Sequence, residues 1–234
     1  MRLAYLVPAI AMFTATPSLA EVVYSQAGTQ ACNPSCWTSN LATAGGFRAF
    51  DNFTLSSAAN ITSVTWQGIY IPNPATGGPP SPNTINWDIG FYSDSGNFPG
   101  TALYSANNVP AANVTATQIG TGTFGAASVN LYSFSYTLPS VFAAAAGTQY
   151  WFSPVAHSAT FNPFFSWSPA TNAVDGRTAQ IDSGNNTFIR PNDRAFSLTA
   201  SVPEPSSWAL LILGFGLVGA NVRRIRRQNA VRFA

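Results

Sequence analysis

Apolar and polar residues alternate with a period of two through much of this chain. Val64, Trp66 and Tyr70 fall on one face of residues 61–71, Trp87, Ile89 and Phe91 on one face of residues 85–92, and Phe196 and Leu198 on one face of residues 195–199. Such alternation marks strands with one face buried. Residues 48–55, 129–138 and 149–155 are equally rich in β-branched and aromatic side chains. Turn-forming clusters separate the runs, among them Pro72-Asn73-Pro74, Asp94-Ser95-Gly96-Asn97 and Asp182-Ser183-Gly184-Asn185. Residues 72–82 read as one long exposed loop. The alanine run at residues 142–146 is the one window between the chain ends with helical character. Many short strands joined by Gly/Pro-rich turns predict an all-β domain, a two-sheet sandwich of jelly-roll type.

The pattern breaks at both ends. Arg2 precedes an apolar run over residues 3–13 and a short polar stretch to residue 20. Ser18 and Ala20 place small residues at the −3 and −1 positions of a signal-peptidase site, so an N-terminal signal helix is expected, cleaved between Ala20 and Glu21. No cysteine follows the site, which argues against a lipid anchor. At the other end, Trp208 to Val222 carries no charge, and Arg223, Arg224, Arg226 and Arg227 follow at once. At about 1.5 Å per residue the run covers roughly 22 Å, against a hydrocarbon core of about 30 Å. Ser206 and Ser207 lengthen it at one end, and arginine stems snorkel at the other. Trp208 sits where an interfacial aromatic belongs. A buried core helix is the other reading of an apolar run this short, and four arginines beside it argue for the membrane. The two ends predict a single transmembrane helix with the folded part outside the cytoplasm.

Just before the apolar run stand Val202, Pro203, Glu204 and Pro205. A proline hinge, a short apolar helix and a basic plug, in that order, resemble the PEP-CTERM sorting tail of Gram-negative bacterial envelope proteins. The resemblance implies that the tail holds an exported protein in the inner membrane until an exosortase, a membrane peptidase, processes it, leaving the rest at the cell surface or outside. The chain then divides into a signal peptide (1–20), an ectodomain (21–200) and a sorting tail (201–234), the tail comprising a hinge (201–207), a transmembrane segment (208–222) and a basic end (223–234). Ala49-Phe50-Asp51-Asn52-Phe53-Thr54-Leu55, the stretch from Ile61 to Gly68, and Arg194-Ala195-Phe196-Ser197-Leu198-Thr199 are similar to ectodomains found ahead of such tails, and imply a β-sandwich.

Composition fits an exported, weakly charged protein. Only 8% of the 234 residues are charged and none is lysine, against about 25% charged in ordinary globular chains. The formal charge of +2 belongs to the ends. Between residues 21 and 200, Arg48, Arg177, Arg190 and Arg194 face seven carboxylates, and no basic groove for nucleic acid is expected.

Candidate chemistry is sparse, and no catalytic residue, metal ligand or cofactor is assigned. His157 is the only histidine, and no G-x-S-x-G nucleophile elbow accompanies it. Asp88 with Asp94, or Asp175 with Asp182, would suit a glycosidase acid and nucleophile only at a defined separation across a cleft. Asp94 and Asp182 each precede Ser-Gly, which is turn chemistry, and a loop of this kind is also where a structural Ca²⁺ would sit. Cys32 and Cys36 are the only thiols in an exported chain, where disulfides persist. A structural staple is expected there, a redox pair being the alternative. Phe161, Phe164, Phe165 and Trp167, with Tyr150, Trp151 and Phe152, read as core or as a sugar-stacking surface, core being favoured because aromatics dominate burial. Thr115-Ala-Thr117 and Thr121-Gly-Thr123 are two threonine pairs of the kind seen on ice-binding surfaces. Two function classes follow: a non-enzymatic envelope or matrix protein that is structural or binds exopolysaccharide, or, as the alternative, a secreted hydrolase acting on polysaccharide.

Overall fold

The computed structural model describes residues 20–28, 32, 36–42, 45–71, 82–124, 127–158, 164–172, 174–201, 212–219 and 223. Most of them lie in strands. In chain order these are β1 (Ala20–Gln26), β2 (Trp37–Thr38), β3 (Asn40–Ala42), β4 (Gly45–Thr54), β5 (Ala59–Ile71), β6 (Asn86–Asp94) and β7 (Pro99–Val109). The second half adds β8 (Thr115–Phe124), β9 (Ala127–Ala144), β10 (Gln149–His157), β11 (Phe164–Trp167), β12 (Arg177–Asp182), β13 (Thr187–Pro191) and β14 (Phe196–Ser201).

They form two seven-stranded sheets. In sheet A the long β5 is central: β9 runs along one side and carries β8, while β14 and then β11 share the other side and carry β1 and β2. Sheet B runs β13-β12-β4-β3-β10-β6-β7, with β4 also bonded to β10. The alternating residues read from the sequence are the ones turned between the sheets. Trp66 of β5 and Trp87 of β6 are fully buried with ring centroids 4.9 Å apart, and Phe134 of β9 stacks on Trp66 at 5.6 Å. Phe152 of β10 meets Phe196 of β14 at 5.2 Å. Edge-to-face and offset aromatic pairs of this kind add about 0.5–1.5 kcal/mol each beyond the area they bury. The core of this two-sheet sandwich is therefore built from rings contributed by both layers.

Residues 142–146 depart from expectation. Phe142 to Ala144 are the end of β9, paired with Ala59–Ile61 of β5. The reason is Phe142, whose ring stacks on Phe91 at 4.4 Å and carries this end of the strand into the core. Pro139 falls where the β5–β9 register shifts, between Ile61/Phe142 and Ser63/Thr137, a break in the ladder where a missing N–H is tolerated.

Ala20–Ser201 is one compact unit. Its first and last strands are neighbours, with Ala20 opposite Ser201 in the β1–β14 ladder. Residues 1–19, the expected signal helix, and 72–81, the expected loop, lie outside the described residues. In the tail, residues 212–219 are helical, with Ile212, Leu213, Phe215, Leu217 and Val218 exposed. No described helix is long and apolar enough to cross a membrane.

Candidate functional site

Four of the domain's charged groups are spent on holding loops together. Arg194, just before β14, is fully buried. Its guanidinium donates to Thr178 Oγ1 (3.0 Å), Trp167 O (3.1 Å), Pro191 O (3.2 Å) and Asn192 O (2.8 Å), while its backbone N–H donates to Asp51 Oδ2 at 2.5 Å. Asp51 lies on β4, so this bond joins the two sheets. Asp193 accepts the backbone N–H groups of Val174, Asp175 (3.2 Å) and Arg177 (2.6 Å). Asp175 accepts Asn52 Nδ2 at 2.8 Å. Burial pushes the Asp51 and Asp175 carboxyls above the usual carboxylate range, and it pulls Arg194 down to about 10 although Asp51 and Asp193 hold its charge.

On the outer face of sheet B, Asp88 joins three strands. It accepts Arg48 Nη2 (3.1 Å) and the Asn108 N–H (2.8 Å), and His157 Nε2 lies 2.8 Å from it without the alignment of a hydrogen bond. Arg48 also donates to Tyr92 OH at 2.9 Å. The Tyr92 ring lies over Gly90, where a Cβ would sit 2.7 Å from it. Asp94 accepts Trp151 Nε1 (2.9 Å), Gln149 Nε2 (2.9 Å) and the Asn97 N–H (3.1 Å), which fastens the β6–β7 turn over Trp151. Asp182 accepts Gly184 N and Asn186 N within its own turn. Each aspartate named as a glycosidase acid or nucleophile is thus occupied by a structural bond. Among the described residues no cluster of three or more His, Cys, Asp or Glu is placed to hold a metal.

The aromatic segments are mostly core. Phe165, Trp167 and Phe152 are fully buried, Tyr150 lies against Phe53 and Phe142, and Trp151 is buried on the far side of sheet B with Phe50. Phe164 is half-buried, and Phe161 lies outside the described residues.

What sheet A presents on its outer face is a field of hydroxyls. Thr115, Ser135, Thr65, Ser197 and Ser25 lie in register, one on each of five successive strands. Thr137, Ser63 and Thr199 form a parallel row, and Thr117, Ser133 and Gln67 a third. All alternate with inward residues such as Val64, Phe134 and Leu198, so they share the outer face. Neighbouring strands stand about 4.8 Å apart, and none of these positions is charged. Each hydroxyl offers one donor and two acceptors. Of their members the sequence singles out only Thr115 and Thr117, because the rows are assembled by strand order. The second threonine pair does not join them. A register shift between Gln118 and Gly120 places Thr121 opposite Asn130, on the side away from Leu131 and the outer face.

Cys32 and Cys36 are joined by a disulfide, their Cα atoms 5.1 Å apart. The bridge packs on Ile69, Ile71, Val129 and Leu131, covering an apolar patch on the outer face of sheet A. Removing it with Cys32→Ser/Cys36→Ser is expected to cost about 2 kcal/mol from the unfolded-chain entropy of a five-residue loop. The thermal midpoint should then fall by about 4–8 °C. Calorimetry checks the shift, and intact mass before and after reduction checks the bridge; free thiols in unreduced exported protein would refute it.

Ser201, the last residue of β14, is also where the tail begins. Residues 201–227 match the PEP-CTERM protein-sorting motif. The chain carries a PEP-CTERM sorting tail. Such a tail marks an exported protein handled by an exosortase. Of its residues, Arg223 is helical and exposed, whereas Val202, Pro203, Glu204, Pro205, Trp208, Val222, Arg224, Arg226 and Arg227 lie outside the described set. Ala20 and Glu21, the expected cleavage pair, are the first two residues of β1 and are exposed. Comparison with curated proteins and with solved structures returned no match.

Proposed function

We propose that this is a non-enzymatic cell-envelope protein whose PEP-CTERM tail anchors it in the inner membrane by a single span until an exosortase releases it, and whose ectodomain binds exopolysaccharide on the outer face of sheet A. The tail's part rests on the motif match and on a helix exposing apolar side chains, which is what a membrane segment requires. The ectodomain's part is carried by one observation, the uncharged hydroxyl rows spanning five strands. An ordinary soluble sheet covers its outer face with mixed charges. Neutral hydroxyls cost less to desolvate than charges, and they match the neutral donor and acceptor hydroxyls of a sugar chain. The surface also extends along a polymer instead of enclosing a small molecule. The hydrolase reading has weaker support, since Asp88, Asp94, Asp175 and Asp182 already serve structural bonds.

Electrophoresis of the exported protein through gels containing the host's exopolysaccharide tests this directly. The wild type should be retarded, and Thr65→Arg/Ser135→Arg should migrate as in a gel without polysaccharide. Retardation unaffected by the double variant would remove the face from the proposal. Release of sugar that disappears in His157→Ala or Asp88→Asn would establish the hydrolase instead.

A further inference from the structure

Among the described residues five strands end a sheet, and four of them are protected. β13 is five residues long and carries Arg190 and Pro191. β2 has two residues. β1 carries Glu21 and a register shift between Val22 and Tyr24. β7 pairs with β6 through three register shifts. Short length, charge, proline and bulges are the means by which sheets keep their edges from pairing with other chains. β8 has one register shift and otherwise none of these. It runs for ten residues, TATQIGTGTF, without a charge or a proline, and among the described residues it pairs only with β9. Thr115, Thr117, Thr121 and Thr123 are exposed along it, and so are Ile119 and Phe124, at 45% and 40%.

We infer that β8 is an assembly edge and that its partner is the β8 strand of a second copy of this chain, paired antiparallel about a two-fold axis. The strand's neutrality selects this occupant. Two identical strands paired about a two-fold bring the same side chains together, and like charges placed opposite one another destabilise a ladder; β8 has none to place. A charged peptide would find no counter-charge there. Pairing gives a partner to the outward N–H and C=O that every second residue of the edge presents, and it covers part of Ile119 and Phe124. The contact is isologous and therefore closed. With the other four edges protected, assembly stops at two copies. It also joins the two sheets A into one fourteen-stranded sheet. The inference goes beyond polysaccharide binding and does not depend on it.

Cysteine cross-linking of the full chain, exported in a Gram-negative host, decides the matter. Ile119→Cys and Thr121→Cys, each made singly, lie near the axis of a β8–β8 pair. Under mild oxidation both are expected to move the protein from the one-chain to the two-chain position on a non-reducing gel, while Thr187→Cys on β13 stays at one chain. Adding Thr117→Lys to Thr121→Cys should return the band to the one-chain position, because it sets like charges along the shared edge. The inference is overturned if neither β8 cysteine links, if the β13 cysteine links equally well, or if the added lysine leaves linking unchanged. Loss of polysaccharide binding with linking intact would count against the binding face alone.

Discussion

The Arg194→Ala protein is expected to lose about 3–5 kcal/mol of stability, the cost of removing one partner from a buried charged network. That is a large share of the roughly 5–15 kcal/mol that holds an ordinary domain folded. Six groups lose a donor or a counter-charge together: Thr178 Oγ1, three backbone carbonyls, and the carboxyls of Asp51 and Asp193. Arg194→Lys should recover only part of the loss, because an ammonium cannot reproduce a planar fork reaching four acceptors. Urea unfolding of the exported protein measures the effect. A midpoint for Arg194→Ala within the error of wild type would mean that the network is ornamental. Asp51→Asn should cost less than Arg194→Ala, since an amide still accepts a backbone N–H and no longer buries a charge.

Glu204→Ala is expected to block processing completely while leaving export and folding intact. Pro203 and Pro205 lack N–H groups and bias their preceding residues away from helix. Glu204 is the only carboxylate after Asp193, which makes it the natural handle for a peptidase reading an extended strand. In a host with the cognate exosortase, the wild type should lose the residues beyond about position 205 and Glu204→Ala should keep them. C-terminal mass mapping reads the difference. Arg232 retained on wild-type protein at the cell surface would make the tail a permanent anchor.

Much of the fold was legible because large apolar side chains alternate in it. β5, β6, β9 and β14 carry large apolar side chains at alternate positions that meet in the core, while β4 and β10 are marked by their density of aromatic residues. β1, β2, β3, β7, β8, β11, β12 and β13 were not marked by the pattern, and β7, β8, β12 and β13 show why. Their Thr, Ala, Asn and Gly residues lie at edges or against small neighbours, where burial imposes little pattern. The link between Asp51 and Arg194 was hidden for another reason. The two are 143 residues apart and meet only through strand order. A signal was present all the same: in a chain so poor in charge, each stands directly beside apolar residues, Asp51 after Ala49-Phe50 and Arg194 before Ala195-Phe196. The hydroxyl rows and the bare β8 edge are likewise products of register, which single-strand patterns do not encode.

The pairing of Ala20 with Ser201 has a practical consequence for anyone who would redesign this protein. The two ends of the folded unit lie on adjacent strands about 5 Å apart, so a short glycine linker would close the backbone into a ring. New ends cut in the exposed 183–185 turn between β12 and β13 would then give a circular permutant. That turn adjoins Phe47 at the start of β4, whereas Thr54 at the end of β4 leads into Ala59 of β5, near the present termini. A passenger fused after Ala20 emerges beside Ser201, and one carried at the permuted ends of the isolated domain emerges beside Phe47, at the other end of β4.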